Sequence, residues 1–570
     1  MPETKSFSFP RLSPRDRQVF GLLALLTLFG LALRLWGITW GLPDARHPIS
    51  TYHPDELVNL NAANQADLLI GKFDIGFYNY GTLYFYLVHI AHLFGRGFSF
   101  IPTIPPTDPA VGITLTEQLP RMAPEQLGLF LFGRLVTALL GTATIPVVFA
   151  LGARLFGKRV GLLAACFYAV APLAVVHAHF LTVDVPATFF AALTLLWAAR
   201  LLPSPTRNDS ILAGIWAGFA AATKYNVGLV LVAPLVALFL SKSDSIAKQR
   251  PVYLGTLCGA TLVAFLAACP GPLIHWEHFW NGIPNYPGSG VRYELFVHSR
   301  EGHGELFIGT GLGWWYHLRI SLFFGLDIFL LLLCLYGLIY AGVRRSRQDA
   351  LLLAFVLLYY ALAGLSAVRF ARYMIPLFPA LCVLAARAAC APALWSSRRS
   401  MTAFGGVAAA YTAFVSLSYV YTMSQPDPRT QAAIYLEQNA AQGATVAFAK
   451  TPWFFSPPLS PRFGMLAAPQ RAQAAQETMR YQLLIPTAEW DTGILSLAPD
   501  YVALSNLETM HAVDRLKIPP AVQFVEKLAA GYRPIEFAPK TVFSIAASSR
   551  LIPEDLLYIL PKVTVYAKGR

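Results

Sequence analysis

RQVFGLLALLTLFGLALRLWG, residues 17–37, decides the fold class of this chain. Between Arg17 and Arg34 every side chain is uncharged, so a helix built from this stretch has no charged face. About 20 consecutive apolar residues span a hydrocarbon core as a helix, because lipid offers no partner for an unpaired backbone group. Comparable runs occupy 318–342, 351–366 and 402–422. Across the 570 residues, 55% are hydrophobic and only 13% are charged, where about 25% charged is usual for a soluble domain. The chain is therefore expected to be an α-helical polytopic membrane protein. The first run lacks a small-residue cleavage site and further runs follow it, so it is expected to be retained rather than removed as a signal peptide.

Working outward, the apolar segments lie near 17–37, 129–154, 160–177, 184–201, 210–223, 226–241, 252–269, 318–342, 351–366, 373–391 and 402–422, about eleven transmembrane helices. The formal charge is +13. In a soluble protein that would suggest nucleic acid, but here the basic residues sit in short loops, where they set orientation. Lys5, Arg11, Arg15 and Arg17 place the N-terminus in the cytoplasm. Lys158-Arg159, Arg200 with Arg207, Lys242/Lys248/Arg250, Arg344-Arg345/Arg347 and Arg398-Arg399 recur at every second connection. Two large outer loops result, 38–128 and 270–317. Residues 81–95, GTLYFYLVHIAHLFG, are apolar but short and are expected to lie along the interface. After residue 422 the composition becomes that of a soluble protein. A predicted helix over 429–443 and strands over 444–450, 501–506 and 563–568 read as a small extracytoplasmic α/β domain, 423–570, beside a transmembrane domain, 1–422. The six cysteines all fall in or at the ends of apolar runs, which argues against a disulfide framework or a thiolate metal site.

The candidate chemistry lies in the outward segments. Tyr52-His53-Pro54-Asp55-Glu56 opens a helix-like stretch, where acids are electrostatically favoured whether they cap or act. Asp184 sits at the mouth of an otherwise apolar helix, and an ionisable residue between apolar runs is a functional candidate. Lys224, in GFAAATKYNVGLVLV, requires a route to the interface or an anionic partner, and a lipid-linked phosphate is a natural one. Arg134, Arg369 and Arg372 with Tyr373 face outward on this topology, the wrong side for orientation-setting charge. Glu294, His298, Glu301, His303 and Glu305 crowd the second outer loop as metal ligands, substrate contacts or polar loop residues. Their glycine-rich spacing does not match a helical metal motif. No Walker, Rossmann or zinc-protease pattern occurs.

Taken in order, these fragments resemble the GT-C superfamily of membrane glycosyltransferases. The nearest likeness is the bacterial branch related to protein O-mannosyltransferases and the lipid A aminoarabinose transferase, a glycosyltransferase family 39-like group. The resemblance covers nearly the whole chain. It rests on His53-Pro54-Asp55-Glu56, Gly133-Arg134-Leu135, Leu151-Gly152-Ala153-Arg154-Leu155-Phe156-Gly157, Asp184-Val185-Pro186, Ala222-Thr223-Lys224-Tyr225, and Arg372-Tyr373 followed by Pro376 and Pro379. It implies inverting transfer of a sugar from a polyprenyl-phosphate donor to a lipid, glycan or protein acceptor at the outer face of the cell membrane. It also implies Asp55 as the catalytic base, with Glu56 assisting. Asp184 would shape the cavity, and Lys224, Arg134 and Arg372 would contact the donor phosphate. Tyr373, His53 and His303 join them as substrate contacts. No metal, no cofactor and no nucleic acid are expected. The eukaryotic mannosyltransferases insert a trefoil domain in a later loop. This chain has no room for one and carries its soluble domain at the C-terminal end instead. The competing readings are a transporter or flippase for a lipid-linked or anionic substrate, which inverted repeats would favour and none are visible, and a non-catalytic envelope subunit.

Overall fold

The computed structural model describes residues 13–104, 115–241, 244–284, 286–391, 397–463, 480–542 and 552–569. Of the basic residues singled out above, Lys5, Arg11 and Lys242 lie outside them. Every apolar segment falls on helix. Six described helices are long and apolar enough to cross a membrane: Pro14–Leu35, Glu117–Phe156, Asp184–Leu201, Lys248–Ala268, Ala371–Cys390 and Arg398–Asn439. Two bent pairs, Lys158–Val170 with Pro172–His179 and Gly313–Leu326 with Ile328–Arg344, raise the number to 8. The remaining expected crossings are the 17-residue helices Arg207–Thr223 and Arg347–Ala363 and the shorter apolar helix Tyr225–Leu240. These sit at the lower edge of the crossing length. The segment expected at the interface is a 15-residue helix, Leu83–Gly97. It lies against the long second helix, with the Tyr84 hydroxyl 2.6 Å from Thr137 Oγ1 and His92 Nε2 2.9 Å from the Leu129 carbonyl.

A buried charge inside such a bundle must be paired, and Arg134 shows how this one is built. Its side chain is fully enclosed. Nε and Nη2 donate to Glu56 Oε1 and Oε2 at 2.8 and 2.7 Å, and Nη1 donates to the carbonyls of Ile38 and Trp40, both at 2.7 Å. Glu56 also accepts from Thr51 Oγ1 at 2.7 Å and from the Leu181 amide at 2.8 Å. Burial raises the Glu56 carboxyl, but the guanidinium's charge and hydrogen bonds outweigh it and hold the group below its usual range. This clamp ties the loop after the first helix to the second helix and to the turn preceding Asp184. Gly133 permits the contact, since a Cβ there would stand 2.1 Å from the Leu181 side chain.

The C-terminal segment folds as a five-stranded sheet of order β2-β1-β3-β5-β4. Its strands are β1 (Thr445–Phe448), β2 (Gln482–Leu484), β3 (Tyr501–Ser505), β4 (Tyr532–Phe537) and β5 (Val563–Lys568). β1 pairs in parallel with both β2 and β3 (Val446 with Leu483 and Tyr501), and β5 runs antiparallel between β3 and β4. The three strands expected from sequence are β1, β3 and β5. β2 is only three residues long and β4 is largely exposed, so neither shows an apolar alternation. A second buried guanidinium fastens this segment down. Arg429 forks onto Asp427, donates to the carbonyls of Phe454 and Tyr558, and lies 4.0 Å from the centre of the Tyr52 ring.

Removing one partner of a buried bidentate pair strands the other charge, at a cost of about 3–5 kcal/mol. Arg134→Ala is expected to lower the thermal unfolding temperature sharply in detergent. Arg134→Lys is expected to rescue little, because an ammonium has three donors on one nitrogen and cannot reproduce the planar fork onto Glu56 together with both carbonyl bonds. A lysine variant that melts like wild type would contradict the clamp.

Candidate active site

A cavity of about 650 Å³ opens between one set of helix ends and the C-terminal sheet. Asp55 lines it, with its side chain 29% exposed, in the first turn of the helix Pro54–Gln65. The preceding cap is His53, whose Nδ1 accepts from the Asp55 amide at 3.3 Å. The His53 ring is buried against Phe180 and Tyr558, and burial drives its basicity well below the ordinary range, so the imidazole is neutral and acts in packing and capping.

Beneath Asp55 lies Arg372, 3% exposed, at the start of the helical segment Ala371–Cys390. Its Nη2 donates to Asp55 Oδ2 at 2.9 Å, its Nη1 to Asp555 Oδ1 at 2.5 Å, and its Nε stands 3.8 Å from Asp184 Oδ2. Its plane covers the Phe370 ring at 3.9 Å. Asp184 in turn accepts from Lys224 Nζ at 2.5 Å. Lys224 ends the helix Arg207–Thr223 and lies 4.1 Å from the centre of the Tyr373 ring, which also lines the cavity. Asp184, Lys224, Arg372 and Tyr373, dispersed in sequence, are thus brought together around Asp55. The backbone of the segment between the first two membrane helices closes this corner. A Cβ at Gly81 would fall 2.0 Å from the Ala222 carbonyl, and that approach sets Tyr80 beside Lys224.

The structure turns Glu56 and Arg134 away from the cavity. In place of the expected assistance to Asp55 and contact with a donor phosphate, both are spent on the clamp described above, with every guanidinium nitrogen engaged. His303 lines the cavity as the last member of a chain in which its Nδ1 meets His298 Nε2 at 3.0 Å and His298 Nδ1 meets Glu294 at 3.1 Å. Burial and the neighbouring His298 lower its basicity. Arg369 lies apart, donating to Thr310 Oγ1 and the Gly311 carbonyl.

Asp555 is the residue that sequence reasoning missed. It is fully buried, accepts from the Ala371 amide at 2.6 Å as well as from Arg372, and stands 3.5 Å from His177 Nε2. Its signal is visible in retrospect. Pro553-Glu554-Asp555-Leu556 repeats the proline-acid-acid-leucine pattern of Pro54-Asp55-Glu56-Leu57, but in a segment of soluble composition, where acids are commonplace. Among the described residues, one group has the donor set for a metal ion, Asp74 with His275 and His278. Asp74 and His278 line a neighbouring recess, and the group has no part in the Asp55–Arg372 cluster. The loop 294–305 weighed above supplies no such group among the described residues.

Glu508 lines the outer wall of the cavity. One oxygen accepts from the Ser505 amide at 2.8 Å and the other is buried without a partner. Burial pushes its carboxyl up to about 7, with Lys450 opposing and Glu489 adding to the rise. Its folded value therefore exceeds the unfolded value of about 4.3, so folding is penalised progressively as pH rises between the two, and fully above the upper one. Glu508→Gln is expected to raise the unfolding temperature at pH 8 and to leave it unchanged at pH 4. An equal effect at both would contradict the assignment.

Residues 130–267 match the family model described as dolichyl-phosphate-mannose-protein mannosyltransferase. A comparison with curated protein sequences finds no match. Among solved structures, the chain is similar to the apo oligosaccharyltransferase of Archaeoglobus fulgidus, with 14% identity, 95% of this chain and 76% of that one covered, and a TM-score of 0.49. It is likewise similar to ArnT from Cupriavidus metallidurans in the apo state, at 13% identity, 97% and 98% coverage and a TM-score of 0.46. The same ArnT bound to undecaprenyl phosphate gives 13%, 96% and 98%, and 0.46. Likenesses this distant transfer no residue roles. The family match is confined to the segment holding Arg134, Asp184 and Lys224, and over that segment the chain is similar to the dolichyl-phosphate-mannose-protein mannosyltransferases.

Proposed function

We propose that the protein moves a sugar from a polyprenyl-phosphate carrier to an acceptor hydroxyl at the extracytoplasmic face, with inversion at the anomeric carbon. The observation that carries this reading is the junction of two recesses at Tyr80 and Tyr373. The main cavity holds Asp55. A smaller one of about 170 Å³ holds Lys224 and is lined by Leu229, Leu362 and Tyr359. A lipid-linked phosphate entering the apolar recess meets Lys224, and its sugar extends past the tyrosines toward Asp55.

Arg372 engages Oδ2 of Asp55 and leaves Oδ1 to accept a proton. The acceptor oxygen attacks the anomeric carbon and its proton passes to Asp55. The bond from that carbon to the phosphate oxygen breaks with its electrons on the phosphate, where Lys224 and Arg372 stabilise the charge. One displacement with one base inverts the centre, and a phosphate surrounded by cations departs without a second carboxylic acid. Lys224 is paired with Asp184 in the resting site, so donor binding exchanges one anion for another. The basic loops support a cytoplasmic N-terminus, with the C-terminal domain above the cavity on the outer side.

Radiolabelled undecaprenyl-phosphate sugars supplied with envelope extract test this reading. Asp55→Asn is expected to cut transfer by about 10²–10⁴ while leaving the unfolding temperature near wild type. Equal turnover in both proteins would remove Asp55 as the base.

A further inference from the structure

The C-terminal sheet has a binding geometry of its own. Its three parallel strands, in the order β2-β1-β3, all point their carboxyl ends at the cavity. Lys450, Trp453 and Phe454 follow β1, Glu489 follows β2, and Glu508 and His511 follow β3, and all of them line it. In open α/β sheets ligands bind outside the carboxyl ends of the strands, where the connections diverge to either side. Here that point is the crevice between the ends of β1 and β3, and it belongs to the cavity that Asp55 also lines.

The chemistry of this crevice selects among acceptors. The described cavity lining carries six carboxylates, Asp55, Glu294, Glu305, Glu489, Glu508 and Glu554, against two fixed cations, Arg372 and Lys450. Both cations are already engaged, Arg372 by aspartates and Lys450 by Glu489 at 2.8 Å and Glu305 at 3.6 Å. An anionic acceptor would meet net repulsion. Hydroxyl groups would find acceptors throughout, and the raised carboxyl of Glu508 supplies a donor as well. Large rings stand open at the rim, with Trp453 44%, Tyr286 49% and Tyr293 37% exposed. Convergent polar groups among exposed aromatic faces suit a polyhydroxylated ring with an apolar side. An extended peptide would engage a sheet by its edge, and among the described residues no strand residue lines this cavity.

We infer that the C-terminal domain is the acceptor-binding half of the site and that the acceptor is an uncharged glycan, seated across the carboxyl ends of the three parallel strands beside Trp453 and Glu489, with a hydroxyl directed at Asp55. This rests on the transferase reading above, and the test separates the two. Full-length protein in lipid nanodiscs is titrated with mannotetraose, a chitin tetramer, phosphorylated mannotetraose and a serine/threonine-rich decapeptide, and donor turnover is read in parallel. At least one neutral oligosaccharide is expected to bind, with its phosphorylated form about tenfold weaker. Trp453→Ala and Glu489→Gln are each expected to weaken binding about tenfold, and Trp453→Phe to recover most of it. Binding of the peptide alone, of the phosphorylated glycan preferentially, or of nothing overturns the inference while any donor turnover leaves the transferase standing. Oligosaccharide binding without turnover of any lipid-linked sugar removes the transferase reading and leaves the crevice.

Discussion

A single buried guanidinium holds the site together. Arg372 is nearly inaccessible and is shared among Asp55 from the segment after the first helix, Asp184 from the start of a membrane helix and Asp555 from the C-terminal domain. Burying a charge is costly, and the cost is met only when the partners are themselves fixed. Asp555 is fixed by the Ala371 amide, Asp184 by Lys224 and Asp55 by its place in a capped helix turn. Each part of the chain therefore requires the others. The membrane portion without the C-terminal domain would leave Arg372 short of a carboxylate, so the cavity is a joint product of both.

The two clusters of buried charge differ in kind. At Arg134 and Glu56 every polar atom has a partner and neither residue lines the cavity, which is the signature of a structural pin. At Arg372 the cluster opens on one side through Asp55, and three aspartates face two fixed cations, Arg372 and Lys224. In the reaction proposed above the cations stay paired while the site rests, and a phosphate arriving at Lys224 would compete with Asp184 rather than bind a bare ammonium.

Much of this was legible in the chain. Each apolar run became a helix because its residues leave no alternative in lipid, Asp184 and Lys224 stood out as charges in apolar surroundings, and Arg372 as a cation on the side where orientation-setting charge is not expected. Two things were not legible. Adjacent acids at one helix start point in different directions, so which of Asp55 and Glu56 faces the cavity depends on where Arg134 lies in the fold. Asp555 looked ordinary because its segment is polar, and only the docking of that segment onto Ala371 and Arg372 makes it a buried charge. The short strand β2 and the exposed strand β4 were hidden for a related reason, since neither buries a regular face.

The most direct test of the account is a cryo-electron microscopy map of the full-length protein in nanodiscs with undecaprenyl phosphate added. Phosphate density is expected within hydrogen-bonding distance of Lys224 Nζ, with the Asp184 carboxylate displaced from that nitrogen and the lipid chain leaving along Leu229 and Leu362. Phosphate held elsewhere, with the Lys224–Asp184 pair intact, would contradict it.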